Sequence, residues 1–399
     1  MALFINLLAV FVSLIIGGTI YLDRSFSELT NRVSWNDRHV YNKAAEYNAA
    51  SCKVSKAIPE ACEDSIVDDS TGLVYFSCGE TENRTKWFPG CNWWDKEGMT
   101  TNSFYVYDPE TRDFEKMNLD YHGEFVSHGL SLLKDPNNPD TRYIFSVNHK
   151  STGSIISIFS FQAGTNDVSH VGDIKDSRIY TPNSVTAYVE DDGSIAIMYT
   201  NDHLFRKGFM RHVEDSYGPF MWGHVGNCNF KIEDGDIKGL SCSRVAVENS
   251  YPNGITHIPD TKEFLVADTR LGTLSSFKWD VDTKSLNLQH STPFGAALDN
   301  VHVIAGTKDV IVAGFPDEKQ VFYKFRNMHD KSIKVESLVF RANSRDNYTV
   351  PHVLQKTDGL HGLQVVTNYN YLPKHDRLLG SSVCSEGILI CDNIYGIIM

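Results

Sequence analysis

The chain has 399 residues, of which 41% are apolar and 12% aromatic, and it carries a formal net charge of -13. This composition is typical of a packed globular protein, and the length suits one large domain or two ordinary ones. The acidic balance, 37 Lys and Arg against 50 Asp and Glu, comes with no basic patch and argues against nucleic acid as a partner.

The N-terminus is apolar. Residues 2–22 carry no charged side chain, and Asp23 and Arg24 follow at once. About 20 apolar residues are needed to span a bilayer, so residues 1–24 are predicted to be an uncleaved signal-anchor. A removed signal peptide is the alternative, although the basic start typical of such peptides is missing. Either reading sends the chain into the secretory pathway, where it is extracellular or held by its N-terminus at a membrane or lipid surface.

A helix is predicted next, within residues 25–50. Ser25 to Glu28 form a capping-box pattern, and Leu29, Val33 and Val40 follow at roughly helical spacing. The segment is interpreted as an amphipathic linker helix that packs either on the main domain or on a membrane.

From Cys52 onward the pattern changes to pairs of short β-branched or aromatic runs. The turn-forming clusters DDSTG, DPNNPD, EDDGS, PDTKE and GTKD separate the two runs of successive pairs. The pairs begin near residues 65, 129, 184, 254, 300 and, less clearly, 362. Six similar all-β units over residues 51–399 favour a six-bladed β-propeller over two sandwiches.

A polar residue stands just ahead of the first strand of each unit. These entrance pairs are Glu63-Asp64, His128-Gly129, Asn183-Ser184, Asn253-Gly254, Asp299-Asn300 and, more weakly, His361-Gly362. Because the first strand of every propeller blade lines the central channel, these positions are expected to form a ring. Their carboxylate and amide oxygens suit a hard cation such as Ca²⁺. For any single residue the alternative is a turn former or strand cap.

Several stretches resemble one known family in order and spacing. They are CKVSKAIPEACED at 52–64, HGLS at 128–131, VNH at 147–149, TNDH at 200–203, NGI at 253–255, LDN at 298–300 and LLGS at 378–381. Together they make the chain similar to the serum paraoxonase/arylesterase family. The resemblance implies a six-bladed propeller with two calcium ions, one catalytic and one structural, that hydrolyses lactones and aryl or carboxylic esters.

The resemblance also implies roles for individual residues. The ligands of the catalytic calcium would be Glu63, Asn183, Asn253, Asp299 and Asn300. The structural calcium would be bound by Asp64, the carbonyl of Leu130 and Ser184. Serine replaces the aspartate usual in the family at this last position, so the structural site is expected to be weaker or rearranged. His128 would activate a water and His149 would support it, while the active-site tyrosine of animal members is replaced around Trp87-Phe88-Pro89.

The chain has eight cysteines and no CxxC pair, which favours disulfides over a zinc site. The resemblance implies a disulfide between Cys52 and Cys391. The other six cysteines are left unassigned, with Cys228 and Cys242 the first suggestion because they flank a hairpin-like segment. Sequons at Asn83 and Asn347 predict glycosylated surface loops.

Three functions stay open at this point. The first is a calcium-dependent lactonase/arylesterase acting on a small-molecule lactone or ester. The others are a gluconolactonase-like or strictosidine-synthase-like propeller enzyme, and a non-catalytic extracellular binding propeller stabilised by calcium. No G-x-S-x-G elbow, P-loop or dinucleotide fingerprint occurs. His224, His257 and His302 belong to no recognisable constellation and are interpreted as ordinary histidines.

Overall fold

The computed structural model describes residues 51–217, 221–328, 330, 332–357, 359 and 363–394, together with Ser13 and Gly18. Apart from those two residues, the predicted signal-anchor 1–24 and the predicted helix within 25–50 lie outside the described residues, and so does the entrance pair His361-Gly362. Among the described residues, no helix is both long enough and apolar enough to cross a membrane.

The described chain consists mainly of antiparallel strands joined by short turns. The strands are β1 (Cys52–Val67), β2 (Val74–Gly79), β3 (Trp87–Phe88), β4 (Trp93–Trp94), β5 (Ser103–Tyr107), β6 (Phe114–Lys116), β7 (Asn118–Asp120), β8 (Ser127–Lys134), β9 (Thr141–Lys150), β10 (Gly153–Gln162), β11 (Asp167–Ile174), β12 (Pro182–Val189), β13 (Ile195–Asn201), β14 (Gly223–Glu233), β15 (Asp236–Asn249), β16 (Pro252–His257), β17 (Glu263–Asp268), β18 (Thr273–Asp280), β19 (Ser285–Pro293), β20 (Ala297–Val303), β21 (Val310–Phe315), β22 (Ser337–Ala342), β23 (Pro351–Thr357), β24 (Val366–Leu372), β25 (Arg377–Ser382) and β26 (Glu386–Asp392). The helices are α1 (Thr81–Arg84), α2 (Phe209–Tyr217) and α3 (Glu318–Arg326).

The strands form consecutive sheets arranged as a propeller. Three sheets have four strands each in chain order, β12 to β15, β16 to β19 and β20 to β23. A five-stranded sheet has the order β7-β11-β10-β9-β8, and a seven-stranded sheet has the order β24-β25-β26-β1-β2-β5-β6. The strands β1, β8, β12, β16, β20 and β24 contact one another in a closed ring. The prediction of an all-β propeller is confirmed.

Each predicted turn cluster connects a strand of the closed ring to the strand that follows it in the chain. DDSTG lies between β1 and β2, where Asp68 Oδ1 accepts hydrogen bonds from the backbone N–H of Ser70 (2.9 Å) and from its hydroxyl (2.6 Å). Gly72 ends this turn with φ of 78°, a conformation that favours glycine. DPNNPD, EDDGS, PDTKE and GTKD stand at the corresponding places before β9, β13, β17 and β21.

Apolar side chains fill the space between neighbouring sheets. Phe145 and Ile158 of the five-stranded sheet pack in one buried cluster with Val185 and Tyr199 of the sheet that follows it. Since successive side chains of a strand point to opposite faces, each sheet has an apolar face on both sides. This packing fixes the first strands around the channel.

The strand β1 joins the beginning of the described chain to its end. Its first half pairs with β26, where Cys52 is opposite Cys391, and its second half pairs with β2, where Ser65 is opposite Phe76. Cys52 and Cys391 form a disulfide across 339 residues of sequence. The pairing implied by the family resemblance is therefore confirmed.

Two shorter disulfides each join residues directly opposite one another on paired strands. Cys228–Cys242 connects β14 to β15 and confirms the pairing suggested from the sequence. Cys62–Cys78 connects β1 to β2, and the sequence did not predict it. The cysteines without a disulfide in the described part of the chain are Cys91 and Cys384.

Removal of the long-range disulfide is expected to destabilise the protein more than removal of a short one. The double variant Cys52→Ser/Cys391→Ser should lose about 5–6 kcal/mol of unfolding free energy in the chain-entropy model, and Cys228→Ser/Cys242→Ser about 3 kcal/mol. Denaturant unfolding of both variants beside the wild type measures the difference. Equal losses would mean that loop length does not govern the contribution of the Cys52–Cys391 bond.

Candidate active site

The entrance residues lie at irregularities in the strand pairing. The register between the first and second strand shifts between Cys62 and Asp64, Ser127 and Leu130, Pro182 and Val185, Pro252 and Ile255, and Leu298 and Val301. A β-bulge leaves one residue out of the ladder and re-aims its side chain. At these bulges Glu63, Asn183, Asn253 and Asp299 line a single cavity of about 670 Å³.

Four oxygens of the predicted ring are buried and have no hydrogen-bond partner among the described residues. They are Glu63 Oε2, Asn183 Oδ1, Asn253 Oδ1 and Asn300 Oδ1. The amide nitrogens of the three asparagines do have partners: Asp202 Oδ2 at 3.4 Å, Thr269 Oγ1 at 3.1 Å and Glu63 Oε1 at 2.9 Å, in that order. The protein therefore holds each amide by its N–H₂ group and leaves the oxygen unpaired. A buried acceptor without a partner costs about 1–3 kcal/mol, so four together form a set of oxygens that suits a cation.

The carboxyl of Asp299 lies among negative charges. Burial first, and then the neighbouring carboxylates of Glu63 and Asp64, raise the pKa of Asp299 well above its ordinary value. A divalent cation in the ring would reverse this effect, because an opposite charge within a few ångströms favours the ionised carboxylate.

This donor set fits a calcium ion. Two carboxylates would balance the charge of Ca²⁺, and three amides would add neutral oxygens within the six to eight that the ion takes. In the described part of the chain, no group of three or more His, Cys, Asp or Glu side chains could hold a metal ion. The predicted ring differs from such a group because three of its five members are asparagines.

The two predicted histidines form a pair beside the ring. His128 Nδ1 is 2.9 Å from His149 Nε2, and His149 Nδ1 is 2.8 Å from the hydroxyl of Ser154. His128 Nε2 is on the other side of its ring, 3.5 Å from Glu63 Oε1. Phe88 covers the pair, with its ring centre 4.7 Å from that of His128 and 5.7 Å from that of His149. Burial, and then the nearby His128, hold the pKa of His149 well below its ordinary value, so His149 is neutral near pH 7.

The residues predicted for the structural calcium form a different arrangement. Asp64 is fully buried, and its carboxylate accepts hydrogen bonds from the backbone N–H groups of Ser65 (2.8 Å) and Leu130 (2.7 Å). His302 Nε2 is a further 2.8 Å from Asp64 Oδ1. The hydroxyl of Ser184 accepts from the backbone N–H of Ile255 at 3.4 Å. These side-chain oxygens all have partners, so this set does not fit a second cation, and the structural calcium stays a prediction that nothing supports here.

A buried polar network stands behind Asn183. Asp202 Oδ1 is 2.8 Å from His203 Nδ1, and His203 Nε2 is 3.0 Å from Asp215 Oδ1. Arg211 Nε donates to the same Asp215 oxygen at 2.9 Å. Because Asp202 also accepts the amide of Asn183, the TNDH stretch positions a member of the ring.

The helices α2 and α3 supply cavity walls that the sequence did not predict. Lys319, Phe322, Tyr323 and Arg326 of α3 all line the cavity, at the three- and four-residue spacing of one helix face. That spacing within EKQVFYKFR is the signal that could have predicted the helix. It was missed because the surrounding sequence is typical of strands.

The two predicted glycosylation sites differ in exposure. Asn347 is exposed in a turn with φ of 55°, whereas Asn83 is half-buried in α1 and bonded to Glu80. Glycosylation stays a prediction at both positions.

Similarity to known proteins shows the family of this chain. The family model described as Arylesterase matches residues 99–370. This chain belongs to the arylesterase family. It is 26% identical over 274 residues to human serum paraoxonase/arylesterase 2, and the alignment covers 68% of this chain and 71% of the relative. It is 25% identical over 346 residues to the rat protein of the same name, covering 86% and 88%. Among solved structures, a putative gluconolactonase aligns with a TM-score of 0.48 at 12% identity, covering 86% of this chain and 92% of that one.

Proposed function

We propose that this protein is a calcium-dependent hydrolase of lactones and aryl or carboxylic esters. The observation that carries the proposal is the group of four unpaired buried oxygens, three of them on residues that line the cavity, next to the His128–His149 pair. Membership of the arylesterase family supports the hydrolase class. Serum paraoxonase/arylesterase relatives in several animals support a small-molecule ester or lactone as substrate.

The proposed calcium ligands are the five ring residues Glu63, Asn183, Asn253, Asp299 and Asn300. Bound there, calcium would polarise the carbonyl of the substrate and stabilise the negative charge that develops on its oxygen. The chain itself pre-arranges the ring by the hydrogen bonds to the asparagine amides and by the bulges that carry the side chains.

His128 is proposed to remove a proton from the attacking water. If His128 Nδ1–H donates to His149 Nε2, the lone pair of His128 Nε2 points to the side of Glu63 and the cavity. His149 can accept this hydrogen bond because it is neutral, and its own Nδ1–H then donates to Ser154 Oγ. In this arrangement the contacts with His149 and Ser154 leave the lone pair of His128 Nε2 available to a proton of water, which is what a general base requires.

A substrate panel with and without calcium tests the function. Purified protein is assayed on phenyl acetate, aliphatic lactones and a phosphotriester in calcium, in excess EDTA, and after calcium is restored. We expect ester and lactone hydrolysis that EDTA abolishes and calcium restores, since the ring residues alone cannot polarise a carbonyl.

The same panel distinguishes the alternatives. Turnover that resists the chelator would contradict the calcium mechanism. Calcium binding without hydrolysis of any substrate would favour a binding propeller, and hydrolysis confined to sugar lactones would favour a gluconolactonase-like enzyme.

The blade number and the compartment are part of the proposal. The closed ring of six first strands supports six blades, with the seven-stranded sheet counted as two blades that share β1. The three disulfides support folding in the secretory pathway, because disulfides persist in oxidising compartments.

A further inference from the structure

The surroundings of Asp64 differ from those of the ring residue beside it. Glu63 leaves one carboxylate oxygen unpaired, whereas each oxygen of Asp64 accepts an N–H bond. The donors come from three different elements: Ser65 in β1, Leu130 in β8 and His302 in β20. A carboxylate with this complement of donors needs no cation to compensate its burial.

Space at this level of the channel is filled by the protein itself. A Cβ atom added to Gly129 would lie 2.6 Å from Ser184 Cα and 3.1 Å from Ser184 Oγ. The strands β8 and β12 therefore approach each other as closely as backbones can. The same holds at the entrance pair Asn253-Gly254, where a Cβ atom added to Gly254 would lie 2.7 Å from Asn300 Cα. The strands β16 and β20 are equally close, and the imidazole of His302 lies against Asp64, with Nε2 2.8 Å from Oδ1.

The charges of the predicted ligands also argue against a second calcium ion. Glu63 and Asp299 together balance one divalent ion, and of the side chains predicted for the second ion only that of Asp64 is acidic. Ser184 is neutral, and its hydroxyl already accepts an N–H bond. A second Ca²⁺ would therefore face a single carboxylate, one oxygen of which already contacts His302 Nε2 at 2.8 Å.

We propose that the protein binds one calcium ion rather than two, and that His302 takes the place of the second. The Nε2–Asp64 contact connects β20 to β1 across 238 residues of sequence, a connection that a structural cation would otherwise make. The first ion belongs to the proposed function, and the replacement of the second is independent of catalysis. The consequence is that calcium removal stops the chemistry but leaves the channel held together by protein contacts.

Metal content of the purified full chain tests the proposal. After dialysis against micromolar calcium, the metal is counted per chain by mass spectrometry and by equilibrium dialysis with radioactive calcium. One ion per chain is expected. Two ions would overturn the inference and leave the proposed function intact, whereas none would overturn both.

A pair of substitutions should recreate the second site. The double variant His302→Ser/Ser184→Asp removes the imidazole and adds a carboxylate next to Asp64, so it should bind two ions. His257→Ser is the matched control on the neighbouring strand β16, because His257 bonds to the carbonyl of Thr261 and not to Asp64. It should bind one ion, and a double variant that also binds one would overturn the role given to His302.

A stability measurement covers the case in which the double variant does not fold. His302→Ala should lower the melting temperature by the same amount in calcium and in EDTA, since the lost contact involves no metal. A loss of stability that appears only in calcium would show that His302 acts through a bound ion, and would overturn the proposal.

Discussion

The variant Asp299→Asn should bind no calcium at the ring and lose kcat/KM for phenyl acetate by about 10³-fold or more. A catalytic metal contributes several kcal/mol, and each step of about 1.4 kcal/mol is a factor of ten in rate. The substitution keeps the shape of the side chain but leaves Glu63 as the single negative charge of the ring. Steady-state kinetics and calcium titration by calorimetry measure the two effects.

The same variant should change stability in opposite directions with and without calcium. In EDTA, ionising Asp299 in the folded protein is unfavourable, because burial and then the carboxylates of Glu63 and Asp64 raise its pKa well above the ordinary value. Removing that charge should raise the melting temperature of the metal-free protein above that of the metal-free wild type. In calcium the order should reverse, because only the wild type gains stability by binding the ion.

The control for Asp299→Asn is Asp191→Asn. Asp191 is 84% exposed and pairs with Lys262 on the surface, so its substitution should change neither kinetics nor calcium binding. A variant Asp299→Asn with near-normal rates would remove this residue from the proposed ligands.

The variant His128→Gln should lower kcat by about 10²–10⁴-fold, the usual contribution of a general base, while calcium still binds. Glutamine keeps a hydrogen bond toward His149 but cannot accept the proton of water. The pH–rate profile of the variant should differ from that of the wild type, because the group proposed to take the proton of water is absent. An unchanged pH–rate profile would reassign the base.

The pH dependence has to be separated from unfolding. Burial lowers the pKa of His149 in the folded protein, so below about pH 6.5 the unfolded chain takes up a proton that the folded chain does not. The stability of the folded protein therefore decreases as pH falls. Circular dichroism should be recorded at each pH at which a rate is measured, to confirm that the protein is folded. The matched control for His128→Gln is His212→Gln. His212 also lines the cavity, but it is exposed and makes no contact with His149 in the described residues.

The sequence predicted the positions of the channel residues because their signal is local and repeated. Each entrance residue stands a fixed distance ahead of an apolar run, and the propeller brings Glu63, Asn183, Asn253 and Asp299 to one cavity. The bulges that aim these side chains were not predicted, since a register shift depends on the partner strand.

The contacts that the sequence did not predict depend on strand pairing or on segments that are distant in sequence. His302 belongs to no constellation that is recognisable in the sequence, because its partner Asp64 is 238 residues away. Ser154 is close to His149 in sequence, but it was not predicted because its contact depends on the pairing of β9 with β10. The disulfide Cys62–Cys78 depends on the register of β1 and β2, which composition does not specify.

The division of β1 between the two ends of the chain has a consequence for biosynthesis. At about 5–20 residues per second, synthesis of the 339 residues between the two cysteines takes roughly 20–70 s. During this time the first half of β1 has no strand to pair with, and in the oxidising compartment proposed above the thiol of Cys52 has no native partner. Cys62 and Cys78 are only 16 residues apart, so both are synthesised within roughly 1–3 s of each other. An early Cys62–Cys78 bond would leave two fewer thiols that could pair wrongly with Cys52 before β26 is synthesised.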